Sequence, residues 1–138
     1  SLDGGYDGEL FDGVLTRTDA YKGKSAEELT FEDIAKGLLE VDTAGWAEPW
    51  EVLSKRILDG FFDAAKKAEA NGAENIVIVS HGMTIATFIK LLDSRRPKFQ
   101  GLDNGSVTHL TYSDGNFSIG EIGDMSYREL GREILNAE

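Results

Sequence analysis

"NIVIVSHGMTIATFIKLL", residues 75–92, joins four consecutive β-formers, Ile76 to Val79, to an apolar stretch from Thr84 to Leu92, with the polar triplet Ser80-His81-Gly82 between them. A run of β-branched residues without alternation predicts a strand covered on both faces, as in a parallel sheet. The apolar stretch that follows predicts a helix. In that order the elements put His81 at the carboxyl end of a strand and the mouth of a helix, where free backbone N–H groups and the positive end of the helix dipole face a ligand. The chain has only two histidines, His81 and His109.

Upstream, "SAEELTFEDIAKGLL" offers two overlapping helix starts of the capping-box type, Ser25 with Glu28 and Thr30 with Asp33. After the turn-like "DTAGWAEP", Pro49 suits a first helical turn, and Trp50, Leu53, Ile57, Phe61 and Ala65 recur at steps of three or four. Leu58, Phe62 and Ala68 widen that stripe, and Asn71-Gly72 ends the helix. Downstream, Arg95-Arg96-Pro97 breaks the second helix and "GLDNGS" makes a turn. "SVTHLTY" and "FSIGEIG" read as strands joined by Asp114-Gly115, a strong hairpin signal. A final helix is expected to open on Ser126 and Glu129.

Composition narrows the function. The 138 residues suffice for one domain with its own core. There are no cysteines, which excludes disulfides and thiolate zinc sites and suits a reducing compartment, so a cytoplasmic location is expected. No apolar stretch reaches the length of a membrane span, and no membrane partner is expected. Formal net charge is −11, which opposes attraction to a polyanion, so nucleic acid is not an expected partner. A small phosphorylated ligand remains open, because a few donors make a pocket locally positive.

At the Ser80-His81-Gly82 corner, Gly82 would let backbone approach a ligand closely, and the imidazole adds a donor beside the helix N-terminus. The chemistry implied is recognition of an anion, most readily phosphate. The bland alternative is a packed ring satisfied by a carbonyl. A serine-nucleophile elbow requires glycine at position 78, which is Ile78. "GKS" at 23–25 lacks the earlier glycine of a P-loop, Thr18 standing there, and "DGGYDG" lacks the twelfth-position glutamate of a calcium loop, which falls on Val14. His81 and His109 have no local spacing that would join them as a metal pair, and His109 reads as a strand-face residue.

"IVIVSHGMTIATFIKLL" resembles the second-histidine motif of the histidine phosphatase superfamily, the phosphoglycerate-mutase-like enzymes. "LDNGSVTHLTY" resembles that family's next segment, and "GGYDGE", residues 4–9, resembles its Gly-x-Trp/Tyr-Glu/Asp-Gly stretch. The resemblance implies an α/β fold, a three-layer α/β/α arrangement on a mixed, mostly parallel sheet. The family's nucleophile is the histidine of an Arg-His-Gly motif on the first strand, and no Arg-His-Gly occurs in these 138 residues. The expectation is therefore a single domain over 1–138, the C-terminal part of a phosphoglycerate-mutase-like domain without its N-terminal strands.

For a complete enzyme the resemblance implies phosphoryl transfer from a small phosphorylated metabolite through a phosphohistidine. His81 would be the second pocket histidine, donating to phosphate oxygens with help from the backbone N–H groups of Gly82 and Met83. No metal or other cofactor is implied, since arginines and histidines supply the positive field. The segment as given is expected to be inactive, and unpaired sheet edges lead to the expectation of a homo-oligomer. The compact spacing between Asp7 and His81 leans toward the phosphatase-like members. Competing readings are a non-catalytic module that binds a phosphorylated ligand or a protein at the same corner, and a structural domain in which His81 only packs.

Overall fold

The computed structural model describes residues 17–25, 27–96 and 101–137. The chain divides into two compact units, one up to Arg56 and one from Ile57 onward.

In the first unit, α1 (Phe31–Val41) starts at the second of the two expected boxes. Thr30 is the N-cap in extended backbone, its hydroxyl accepts the Asp33 N–H at 3.1 Å, and the Asp33 carboxylate accepts the Thr30 N–H at 2.9 Å. The first box yields only a turn. The Glu28 carboxylate accepts the Ser25 N–H at 2.7 Å and the Glu28 N–H reaches the Ser25 carbonyl at 3.0 Å. Thr30 opens α1 too soon after it for a separate helix to grow. Tyr21, Asp33 and Ala35 are buried here. The Glu40 carboxylate accepts the N–H groups of Asp19 and Ala20 at 2.7 and 3.0 Å, tying the 17–23 turns to α1.

Asp42 follows α1 and accepts the N–H groups of Ala44 and Ala47 at 2.9 and 2.5 Å, which shapes the "DTAGW" turn. Those bonds, the one from Ala47 foremost, hold its carboxyl below the usual aspartate range.

Helix α2 (Trp50–Ala70) begins as expected, with the Pro49 carbonyl accepting from Val52 and Leu53 at 3.0 and 2.9 Å. Its predicted stripe is the buried one: Ile57, Phe61 and Ala65 are inside. It ends in a Schellman motif, with the Gly72 N–H on the Glu69 carbonyl at 3.0 Å and the Ala73 N–H on the Ala68 carbonyl at 2.9 Å.

In the second unit, α3 (Gly82–Leu92) carries the deepest side chains, Phe88 and Ile89, both fully buried. The hairpin forms where the sequence places it. Strands β1 (Leu110–Ser113) and β2 (Asn116–Ile119) pair antiparallel, with Ser113 facing Asn116 across the turn. Asp114 and Gly115 both have positive φ, 52° and 77°, as a two-residue type I′ turn requires. Beyond β2, Gly120 and Glu121 together oppose His109, with the Gly120 N–H on the His109 carbonyl and the His109 N–H on the Glu121 carbonyl, both 2.8 Å. That is a β-bulge, and an isolated bridge between Val107 and Asp124 follows it.

Helix α4 (Ser126–Ala137) is capped differently from expectation. Asp124, two residues before Ser126, accepts the Ser126 N–H at 2.9 Å, so its carboxylate takes the place of the expected Ser126–Glu129 box.

The larger departure is at Ile76–Val79. This run, expected to be a strand covered on both faces, has no strand pairing, and its residues are 46%, 90%, 41% and 92% exposed. A parallel strand exists only through hydrogen bonds to neighbours on its edges. Among the described residues the one sheet is the β1–β2 hairpin, and it does not pair with the run. The described residues therefore hold four helices and a two-stranded antiparallel sheet, without the mostly parallel sheet of the expectation.

Candidate functional site

His81 is the N-cap of α3. Its backbone is extended, φ −94° and ψ 149°, and its carbonyl accepts the Ile85 N–H at 3.0 Å, the first bond of the helix. The imidazole makes no capping bond and is exposed. The N–H groups of Gly82, Met83 and Thr84 precede the first intrahelical donor and have no acceptor in the helix. An exposed imidazole is therefore carried by the residue that precedes three amide donors at the positive end of an eleven-residue helix. Such a corner can bind an oxyanion through the imidazole and the amides together.

Gly82 has a φ outside the left-handed region, and a Cβ built on it would meet the Leu102 carbonyl oxygen at 3.4 Å and the Leu102 Cβ at 3.6 Å, ordinary contact distances. Neither backbone conformation nor the neighbouring chain demands glycine at this position. Leu102 leads into the Asp103–Ser106 turn, closed by the Ser106 N–H on the Asp103 carbonyl at 3.1 Å. Arg128 of α4 donates from Nη1 to the Asn104 carbonyl at 3.2 Å. Met83, two residues after His81, is exposed.

His109 sits at the bulge rather than in a strand. Its Nε2 is 3.4 Å from Asp124 Oδ2, and its ring lies 5.7 Å from that of Tyr127. Asp124 is thus shared between His109 and the start of α4. Its carboxyl is held below the usual range chiefly by the Ser126 N–H, with the Ser126 hydroxyl and His109 adding to it. The sequence reading passed over Asp124, although an aspartate two residues before a helix start is the pattern of a side chain that hydrogen-bonds the backbone ahead of it.

The arginines whose partners are described are engaged within their own neighbourhoods: Arg95 and Arg96 with Asp93 at 3.5 and 3.6 Å, Arg128 with Asn104, and Arg56 with Glu48. None of these bonds is made to the His81 corner. No group of three histidine, aspartate or glutamate residues that could hold a metal occurs among the described residues. No helix of those residues is long and apolar enough to cross a membrane. The Gly4–Glu9 stretch lies outside the described residues.

Comparison with curated proteins and with solved structures gave no match. Comparison with protein families gave one that spans residues 15–125, most of the chain, from before α1 through the His81 corner and the hairpin to the start of α4. That match identifies the chain as a member of the histidine phosphatase superfamily, branch 1.

Proposed function

We propose that this chain provides the phosphate-binding corner of a phosphoryl-transfer enzyme that acts on a small phosphorylated metabolite. The observation that carries this reading is the exposed His81 at the N-cap of α3, followed by the unbonded first amides of that helix and by a glycine that the chain's own packing does not require. In the reaction, the bond from phosphorus to the leaving oxygen breaks as a bond to a histidine nitrogen forms. Water then breaks that second bond and releases phosphate. His81 and the Gly82 and Met83 amides would stabilise charge on the nonbridging oxygens, which is where such a transition state needs donors. The nucleophile would be the histidine of an Arg-His-Gly strand, which is not within residues 1–138. In the family's three-layer arrangement Ile76–Val79 would be a strand beside it. The lack of cysteines supports a cytoplasmic setting.

The test is a titration of the isotope-labelled chain with inorganic phosphate and with vanadate, alongside an assay on p-nitrophenyl phosphate. Perturbation of the His81 ring and the amides of 82–84, weakened in His81→Ala, is the expected result, with no turnover by the chain itself. Unmoved signals at 81–84 at millimolar phosphate would remove the site. Turnover that disappears in His81→Ala would show that the 138 residues are catalytically sufficient.

A second reading, a non-catalytic phosphate-binding module, draws on the sequence having no Arg-His-Gly and on Arg56, Arg95, Arg96 and Arg128 being bonded elsewhere. An in-frame Arg-His-Gly in the codons preceding Ser1 would decide for the enzyme.

The exposure of Ile76–Val79 also supports self-association of the chain. Light scattering at micromolar concentration is expected to give a dimer or larger, and a clean monomer would contradict this.

A further inference from the structure

Helix α4 buries none of its 12 residues, and its apolar side chains Tyr127, Leu130, Ile134 and Leu135 are between 55% and 73% exposed. A helix of that length without an apolar anchor is marginal, so its cap decides how much of it is formed. The described ties of α4 are polar and sit at its first turn. Arg128 donates to the Asn104 carbonyl at 3.2 Å, and the Ser126 N–H donates to Asp124 Oδ1 at 2.9 Å. The other oxygen of that carboxylate, Oδ2, lies 3.4 Å from His109 Nε2 at the bulge, and the Tyr127 ring lies beside the same imidazole. The Asp124 backbone is already fixed by two 2.8 Å bonds to Val107, so what the imidazole can set is the orientation of the carboxylate.

We propose that His109 is a pH-dependent positioning residue for the cap of α4: protonated, it holds the Asp124 carboxylate with Oδ1 on the Ser126 N–H, and neutral, it leaves that carboxylate free to turn away. At 3.4 Å the contact is long for a hydrogen bond between neutral groups, and a proton on the ring adds the attraction of opposite charges. The groups around the ring identify which one titrates. Asp124 comes from the segment between β2 and α4, Tyr127 from α4, and Glu121 opposes His109 across the bulge through the backbone bond. Strands β1 and β2 contain no charged residue, and their one tyrosine, Tyr112, packs on Phe117. Of these residue types only histidine ordinarily changes charge between about pH 5 and 8. The Ser126 N–H is the chief cause of the lowered Asp124 pKa, so the carboxylate keeps its charge across that range. The cap is therefore firm at the acid end and loosens as pH rises.

The test is the helix-to-coil ratio of α4, read from the Cα and carbonyl chemical shifts of residues 127–137 in the isotope-labelled chain. In the unaltered chain that ratio should be about two- to fivefold higher near pH 5.5 than near pH 8, the span of a partly exposed ion pair. His109→Gln, which keeps a neutral donor, should stay at the lower ratio at both pH values. Asp124→Asn, which keeps an acceptor for Ser126 and removes the charge, should also lose the response. Glu121→Gln should retain it. A ratio in the unaltered chain that is the same at both pH values would overturn the proposal, as would a response that persists in His109→Gln. A response that persists in Asp124→Asn and disappears in Glu121→Gln would overturn it too, since the partner of the ring would then be Glu121.

Discussion

Replacing Phe88 by alanine should lower the unfolding free energy by about 3–5 kcal/mol, the range for deleting a fully buried phenyl ring. Phe88 is 0% exposed and is the ring on which the second unit's core converges. It stacks on Phe61 of α2 at 4.0 Å with planes 9° apart, and meets Phe62 and Phe117 nearly edge-on, at 6.4 and 5.2 Å. Phe117 of β2 is itself edge-on to Phe62 at 5.0 Å, so α2, α3 and the hairpin share one aromatic cluster. The edge-on pairs are favourable beyond their buried area. Alanine loses all three and leaves a cavity that three separate elements would have to close. A total stability of about 5–15 kcal/mol is usual for a domain, so the alanine variant could unfold outright. Phe88→Leu, which keeps most of the volume, should cost roughly half as much and keep the test measurable. Urea unfolding read by circular dichroism gives both values. A loss below about 1 kcal/mol for alanine would mean that the cluster is not the core of this unit.

What could be read from the sequence follows how local each determinant is. Thr30 and Asp33 are three residues apart and need only each other, and the box they form is the one the letters announce. The Asp114-Gly115 turn is decided by two positive φ values that aspartate and glycine tolerate. The α2 stripe is a matter of helical period, and Ile57, Phe61 and Ala65 are inside as that period requires. Ile76–Val79 is the opposite case. Four β-branched residues describe what a strand would be made of, and pairing depends on neighbours that composition cannot supply. The site divides in the same way. His81 at the head of α3 was legible because the corner is contiguous in sequence. The role of Asp124 was not, since Asp124 meets His109 across a bulge that no local pattern signals.

Asp33→Ala should cost about 2 kcal/mol, with a dependence on pH that identifies the cause. The carboxylate accepts the Thr30 N–H and hydroxyl, both at 2.9 Å, and the Lys24 ammonium at 2.6 Å. Lys24 is 40% exposed, so solvent screens that pair, and the part-buried bonds to Thr30 carry the rest of the effect. Burial by itself would raise the Asp33 pKa, but the Lys24 and Thr30 bonds together outweigh it and leave the group below its ordinary 3.8. The folded state thus favours the ionised form. Its contribution is complete above the unfolded-state pKa and is lost as pH falls through the folded one. Asp33→Asn, which keeps an acceptor for Thr30 and removes the charge, should therefore be less stable than the unaltered chain at pH 7 and converge with it as pH falls below the lowered folded-state pKa. The same charge acts on Tyr21, whose phenol is pushed above 10.0 first by burial and then by Asp33. In Asp33→Asn, ultraviolet titration should show this tyrosine moving part of the way back, and only part, because burial remains. A stability difference between Asp33→Asn and the unaltered chain that is flat from pH 7 to pH 3 would show that the charge contributes nothing. The cap alone would then account for the effect.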